Sequence, residues 1–115
     1  MNSAPPIAWT IAGSDSGGGA GIQADLHSFQ DFGVHGCTVI TAITAQNSAA
    51  ITHIKATDPE QLMAQIDILD SDLPAQAFKL GMLANGAIIH CIANYLKTFS
   101  GFVVCDPVLQ SSNHH

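Results

Sequence analysis

Asp25 stands three residues after Ile22 and four before Phe29, so a helix that buries those apolar side chains carries a carboxylate on the same face. A charge held there is costly unless a partner or hydrogen-bond donors compensate it, which favours an acceptor facing a ligand. The competing reading is an acid near a helix N-terminus, half in water and favoured by the helix dipole. Just upstream, Ser14-Asp15-Ser16-Gly17-Gly18-Gly19 is a glycine-rich turn. Such a turn aims several backbone N–H groups and the positive end of the helix at one point, which suits a phosphate or a polar ligand atom. The competing reading is a tight strand-to-helix connection needing positive φ.

Two phosphate motifs are tested by the same stretch. A Walker loop ends in Gly-Lys-Ser/Thr, and the first lysine here is Lys55, so that chemistry is excluded. Gly19-Ala20-Gly21-Ile22-Gln23-Ala24 fits the relaxed dinucleotide fingerprint, but the second strand then has to end in an acid for the ribose. It ends in Gln46-Asn47. Asp106 follows Phe102-Val103-Val104-Cys105 and precedes Pro107, a place where it could hold a metal-bound or phosphate-bound water, or simply turn the chain. Met82 is either a pocket wall or core filler. Asp67, Asp70 and Asp72 read as a solvated surface, and His35 has no evident partner.

These residues need elements to position them. Ile7 to Ala12 is short and apolar and is followed by Gly13, as a buried parallel strand ending there would be. Ile22, Leu26, Phe29 and Phe32 form a helical stripe that Gly33 closes. Cys37 to Ala45 reads as a second strand, with a short strand or hairpin arm at Ile51 to Lys55. Thr57-Asp58-Pro59-Glu60 offers a capping box with proline in the first turn, leading into Leu62, Ile66 and Leu69. Ala77 to Leu80 is a strand, Ala87 to Leu96 a helix with Ile88, Ile92 and Leu96 on one face, and Phe102 to Cys105 a strand. Alternating strands and helices mean an α/β domain with a largely parallel sheet. The residues after the strands, Gly13 to Gly19, Gln46-Asn47, Gly81-Met82 and Asp106-Pro107, should then line one crevice at the carboxyl edge.

Composition sets the outer bounds. The 115 residues are 47% hydrophobic and 10% charged, one domain's worth of chain. Nine acids against three lysines, with no arginine, give a net charge of −6, which excludes nucleic acid as a partner. Apolar runs are short and broken by Thr, Gly, Asn or His, whereas a bilayer span needs about 20 apolar residues. Met1 to Pro6 shows no basic and apolar leader, so a cytoplasmic protein is expected. Cys37, Cys91 and Cys105 are odd in number and show no C-x-x-C pair, and are expected to be reduced core thiols. The histidines show no metal-ligand spacing, and His114-His115 reads as a terminal appendage.

The run Ala12-Gly13-Ser14-Asp15-Ser16-Gly17-Gly18-Gly19-Ala20-Gly21-Ile22-Gln23-Ala24-Asp25 closely resembles the N-terminal part of the hydroxymethylpyrimidine/phosphomethylpyrimidine kinases of thiamine biosynthesis. Further matches follow in order at Phe32-Gly33 to Gly36-Cys37, Thr41-Ala42, Ala45-Gln46-Asn47, Lys79-Leu80-Gly81-Met82-Leu83 and Val104-Cys105-Asp106-Pro107-Val108. The likeness extends over residues 7 to 112. It implies a ribokinase-like fold of three layers, a mostly parallel sheet with helices on both faces. It also implies transfer of the ATP γ-phosphoryl, assisted by Mg²⁺, to 4-amino-5-hydroxymethyl-2-methylpyrimidine and then to its monophosphate. By resemblance Gly13, Asp25, Gln46, Met82 and Val108 bind the pyrimidine: Gln46 as donor and acceptor to an aminopyrimidine edge, Met82 and Val108 as apolar walls, Asp25 as acceptor for the hydroxymethyl group. Asp106 corresponds to the acid beside the nucleotide phosphates and Mg²⁺.

Members of that family run to roughly twice this length, and their glycine-rich anion hole, catalytic residue and most of the adenine pocket belong to the part beyond. Residues 1–115 are therefore expected to be the N-terminal portion of a single truncated ribokinase-like domain, with no catalytic residue assigned and no activity alone. The alternatives are a pyridoxal kinase of the same fold and a non-catalytic pyrimidine-binding fragment. Association into a homo-oligomer is left open.

Overall fold

The structure is a computed structural model and describes residues 4–106. Strand β1, Ile7–Asp15, is buried along almost its whole length, which places an apolar run of this kind at the centre of a parallel sheet. The chain continues through α1 (Gly21–Asp31), β2 (His35–Gln46), β3 (Ile51–Ala56), α2 (Pro59–Asp70), β4 (Ala77–Leu80), α3 (Gly86–Leu96) and β5 (Phe102–Cys105). The sheet has the order β3-β2-β1-β4-β5. Every pairing is parallel except β2 with β3, whose short connection permits only the antiparallel arrangement.

Alternation along the strands separates two helical layers. Trp9, Ile11, Val39, Phe78 and Leu80 share a core with Leu62 and Ile66 of α2 and Ile88 and Ile92 of α3. On the other face α1 lies over β1 and β2, with Thr10 bonded to Asp25. Gly36 makes that approach close: a Cβ there would stand 2.7 Å from both the Leu26 and Phe29 side chains. The three layers expected of the fold are thus present, α1 on one side of the sheet and α2 with α3 on the other.

Several details differ from expectation. Strand β1 does not stop at Gly13, because a register shift between Ala12 and Ser14 absorbs the irregularity and pairing with β2 resumes at Ser14 and Asp15. Phe32 does not join the apolar stripe of α1; the helix ends at Asp31 and Phe32 is 84% exposed, just before Gly33 turns the chain at φ +71°. The cap of α2 is Asp58 rather than Thr57. Asp58 Oδ1 accepts from the Gln61 N–H at 2.8 Å, while the Thr57 hydroxyl donates to the Ile40 carbonyl. Asp70, on the acidic surface of α2, accepts from the Tyr95 hydroxyl at 2.8 Å and ties α2 to α3. Burial, then that hydrogen bond, then the charges of Asp70 and Asp67 push the Tyr95 phenol upward.

All three cysteines are free, but only Cys37 is in the core. Its thiol is pushed up by burial first and by the charge of Asp72 second, which keeps it protonated and inert. Cys105 is exposed, as are all residues of β5 among the described residues. Phe102 and Val104 on that strand are 82% and 60% exposed. Among the described residues no helix is long and apolar enough to cross a membrane.

Candidate functional site

Parallel strands bring their carboxyl ends to one edge, and there the chain encloses a cavity of about 710 Å³. Gly13, Asp25, Gln46, Met82 and Asp106 all line it. Val108, the sixth residue singled out from sequence, lies outside the described residues.

Asp25 is presented by α1 to the sheet beneath it. Its Oδ2 accepts from the Thr10 hydroxyl at 2.5 Å and from Lys79 Nζ at 3.1 Å, and Lys79 Nζ is 3.0 Å from Oδ1. The grouping follows from register: Thr10 and Lys79 are direct partners across β1 and β4, so their side chains emerge together on the face that α1 covers. With its side chain 14% exposed, Asp25 is neither the half-solvated helix-terminal acid nor an isolated buried charge. It is a compensated carboxylate at the cavity floor. Asp106, with 55% of its side chain exposed, approaches the same lysine at 3.8 Å.

Lys79 and Asp15 are the two charged residues of the site to which sequence reasoning gave no role of their own. Asp15 is buried and collects the glycine loop: its Oδ1 accepts from Gly17 N–H at 2.8 Å, its Oδ2 from Gly19 N–H at 3.0 Å and Ala20 N–H at 2.9 Å. The converging amides that would suit a phosphate are therefore occupied by the chain's own carboxylate. The tight-turn reading of the loop is the one the geometry supports. Gly18 and Gly21 adopt positive φ, 82° and 60°, and a Cβ on Gly21 would run into the Gly13 carbonyl oxygen. The signal was present in the sequence, since an aspartate two residues before a glycine often accepts from that glycine's N–H. For Lys79 the signal was a lone cation inside a four-residue apolar strand.

The loop is tied to the end of β2 as well. The Ser16 hydroxyl bonds both backbone groups of Gln46, which fixes the base of that side chain. Gln46 Oε1 stands 3.1 Å from Thr44 Oγ1, whose one proton is shared with the Ser14 carbonyl at 2.8 Å, while its amide nitrogen has no protein partner among the described residues and remains a donor. Met82 lies against Gly13, where a Cβ would stand 2.6 Å from the Met82 methyl carbon, so Gly13 makes room for an apolar wall. Thr41 holds the Met82 carbonyl at 2.6 Å. Beyond it Ala84 takes a positive φ of 70°, a conformation costing a non-glycine residue about 1–2 kcal/mol, immediately before Asn85 caps α3. Among the described residues no three His, Cys, Asp or Glu side chains gather as a set able to hold a metal ion.

A family model described as phosphomethylpyrimidine kinase matches residues 15–115. The hydroxymethylpyrimidine/phosphomethylpyrimidine kinase of Synechococcus elongatus is 50% identical over 108 residues, 94% of this chain and 41% of that protein. The crystal structure of phosphomethylpyrimidine kinase from Clostridium difficile superposes with a TM-score of 0.86 at 42% identity, covering 93% of this chain and 47% of that one. A pyridoxal kinase from Staphylococcus aureus, in complex with AMP-PCP and pyridoxal, superposes with a TM-score of 0.83 at 31% identity, covering 96% of this chain and 41% of that one. The chain thus spans less than half the length of the proteins it matches.

Proposed function

The chain belongs to the phosphomethylpyrimidine kinase family, and from that premise we propose that it forms the alcohol-binding side of a kinase that transfers the ATP γ-phosphoryl to 4-amino-5-hydroxymethyl-2-methylpyrimidine and then to the monophosphate. The observation that carries this reading is the meeting of Gly13, Asp25, Gln46 and Met82 round one cavity at the carboxyl edge. An aminopyrimidine is flat, apolar on its faces and polar on its edges. Gly13 and Met82 supply a slot for the faces, the Gln46 amide a donor to a ring nitrogen and, through the spare lone pair of its oxygen, an acceptor for the ring amino group, and Asp25 an acceptor for the hydroxymethyl group. Val108 completes the apolar wall in this reading.

The nucleotide side is proposed more sparingly. The AMP-PCP bound by the S. aureus pyridoxal kinase supports ATP as phosphoryl donor. Asp106 is the exposed carboxylate at the end of β5, and one carboxylate together with substrate phosphates is a usual way of holding Mg²⁺. Bound there, the ion would neutralise charge on the phosphates. Asp25 does not fit as its second ligand, since Lys79 stands between the two acids. A kinase of this kind works in the cytoplasm, where its nucleotide is.

Titration calorimetry with the hydroxymethyl aminopyrimidine, with and without ATP and Mg²⁺, tests the reading. Saturable binding by the folded chain is the expected result, and no heat up to millimolar ligand removes the proposal. Pyridoxal is the second reading, favoured by the S. aureus structure. Gln46→Ala separates the two: it should weaken the aminopyrimidine by about 1 kcal/mol, the worth of one hydrogen bond, and pyridoxal by less. An equal loss for both ligands would count against the role given to Gln46.

A further inference from the structure

We propose that Lys79 is a positioning residue, which fixes Asp25 as the acceptor for the substrate hydroxyl. The inference rests on the function proposed above and adds to it a group that neither the family assignment nor the relatives' names assign. An ionised carboxylate accepts about four hydrogen bonds. Thr10 and Lys79 fill the two sites on Oδ2, and Lys79 Nζ also stands 3.0 Å from Oδ1 as an ion pair. Acceptor capacity is left on Oδ1. Thr10 alone would leave the carboxylate free to turn about its last bond; the ammonium, held against both oxygens, sets the plane of the group.

Charge gives the same answer. The cavity is lined by Asp15, Asp25 and Asp106, and Lys79 is the one cation among its described lining residues. Asp15 spends its charge on the glycine loop. Without Lys79, Asp25 and Asp106 would repel each other across the floor, and Asp25 would be a part-buried charge with a single neutral donor. Such a group moves toward water, which carries the acceptor away from the substrate hydroxyl. A lysine packed there only for its alkyl stem would not place its nitrogen between two carboxylates.

The test is calorimetric and uses two ligands, the hydroxymethyl aminopyrimidine and the 5-methyl counterpart that lacks the hydroxyl. The unsubstituted chain should bind the alcohol about tenfold more tightly, the equivalent of about 1.4 kcal/mol. Lys79→Met should abolish that preference by weakening the alcohol far more than the methyl counterpart, and Lys79→Arg should restore most of it. Asp25→Asn should lose the same preference, with Lys79→Met adding nothing further in the double variant. If Lys79→Met fails to fold by circular dichroism, Lys79→Gln carries the comparison, since it keeps a donor and removes the charge. An equal weakening of both ligands means a merely structural lysine and overturns the inference, as does a preference that survives the loss of charge. An unsubstituted chain that binds both ligands alike also overturns it, yet leaves the pyrimidine reading standing. A folded chain that binds neither overturns both.

Discussion

Trp9→Ala should destabilise the chain by about 3–5 kcal/mol, the range for removing a buried aromatic from a core. Trp9 is fully buried. Its ring stacks on Tyr95 at 6.0 Å and meets Phe78 edge-on at 5.3 Å, and its indole N–H donates to the Leu73 carbonyl at 2.8 Å. The substitution opens a void among three elements and strands a carbonyl at the same time, and the two losses add. Domains of this size hold about 5–15 kcal/mol in total, and the exposure of β5 among the described residues places this one toward the lower end. The melting midpoint should fall by more than about 10 °C, read from far- and near-ultraviolet circular dichroism. Trp9→Phe keeps an aromatic ring and loses the hydrogen bond, so it should lie between the parent and the alanine variant. A change of less than about 1 kcal/mol in Trp9→Ala would mean that the stack is not part of the folded core.

That stack also marks where the sequence stops being informative. Strands β4 and β5 were legible to the residue, because each is a short, mostly apolar run, β-branched in β5, with turn residues on both sides. The buried helix positions Leu62, Ile66, Ile88 and Ile92 followed from period alone. What period cannot give is which strand lies beside which. The order β3-β2-β1-β4-β5 puts Lys79 next to Thr10 and under α1, so the ion pair with Asp25 joins residues 54 positions apart. No local pattern contains it. Asp25 itself was legible as a carboxylate on an apolar helix face beside the glycine loop, while the positions of Gln46 and Met82 at the crevice followed from the strand-end rule. Asp15 was hidden for a different reason. A glycine run beside a helix start has the same appearance whether its amides wait for a ligand or are already bonded to a neighbouring side chain, and only the hydrogen bonds distinguish the two. Phe32 failed by one residue: its spacing fits the stripe, but α1 ends at Asp31 and Gly33 turns the chain before the side chain reaches the sheet.

Residues 1–115 alone should show no measurable ATP-dependent phosphorylation of the aminopyrimidine, even where they bind it. Phosphoryl transfer is carried by positioning and by stabilising charge on the transferring group. The cavity offers the reverse of that charge: Asp15, Asp25 and Asp106 line it against Lys79, and Lys79 is already paired with Asp25. The sequence contains no arginine, and the amides of the glycine loop that could have formed an anion hole are bonded to Asp15. Removing one such donor from an enzyme costs about 10²–10³ in rate, and here a whole set is lacking among the described residues. A coupled assay of ADP release should therefore stay at the background of ATP alone. Adding the C-terminal portion of a relative such as the S. elongatus kinase, in the same chain or as a complementing fragment, should restore turnover by supplying that set to an alcohol already held by Asp25 and Gln46. Turnover by the purified chain without such a supplement would show that the described residues include a phosphate-stabilising group where the geometry shows only an acidic floor with one lysine.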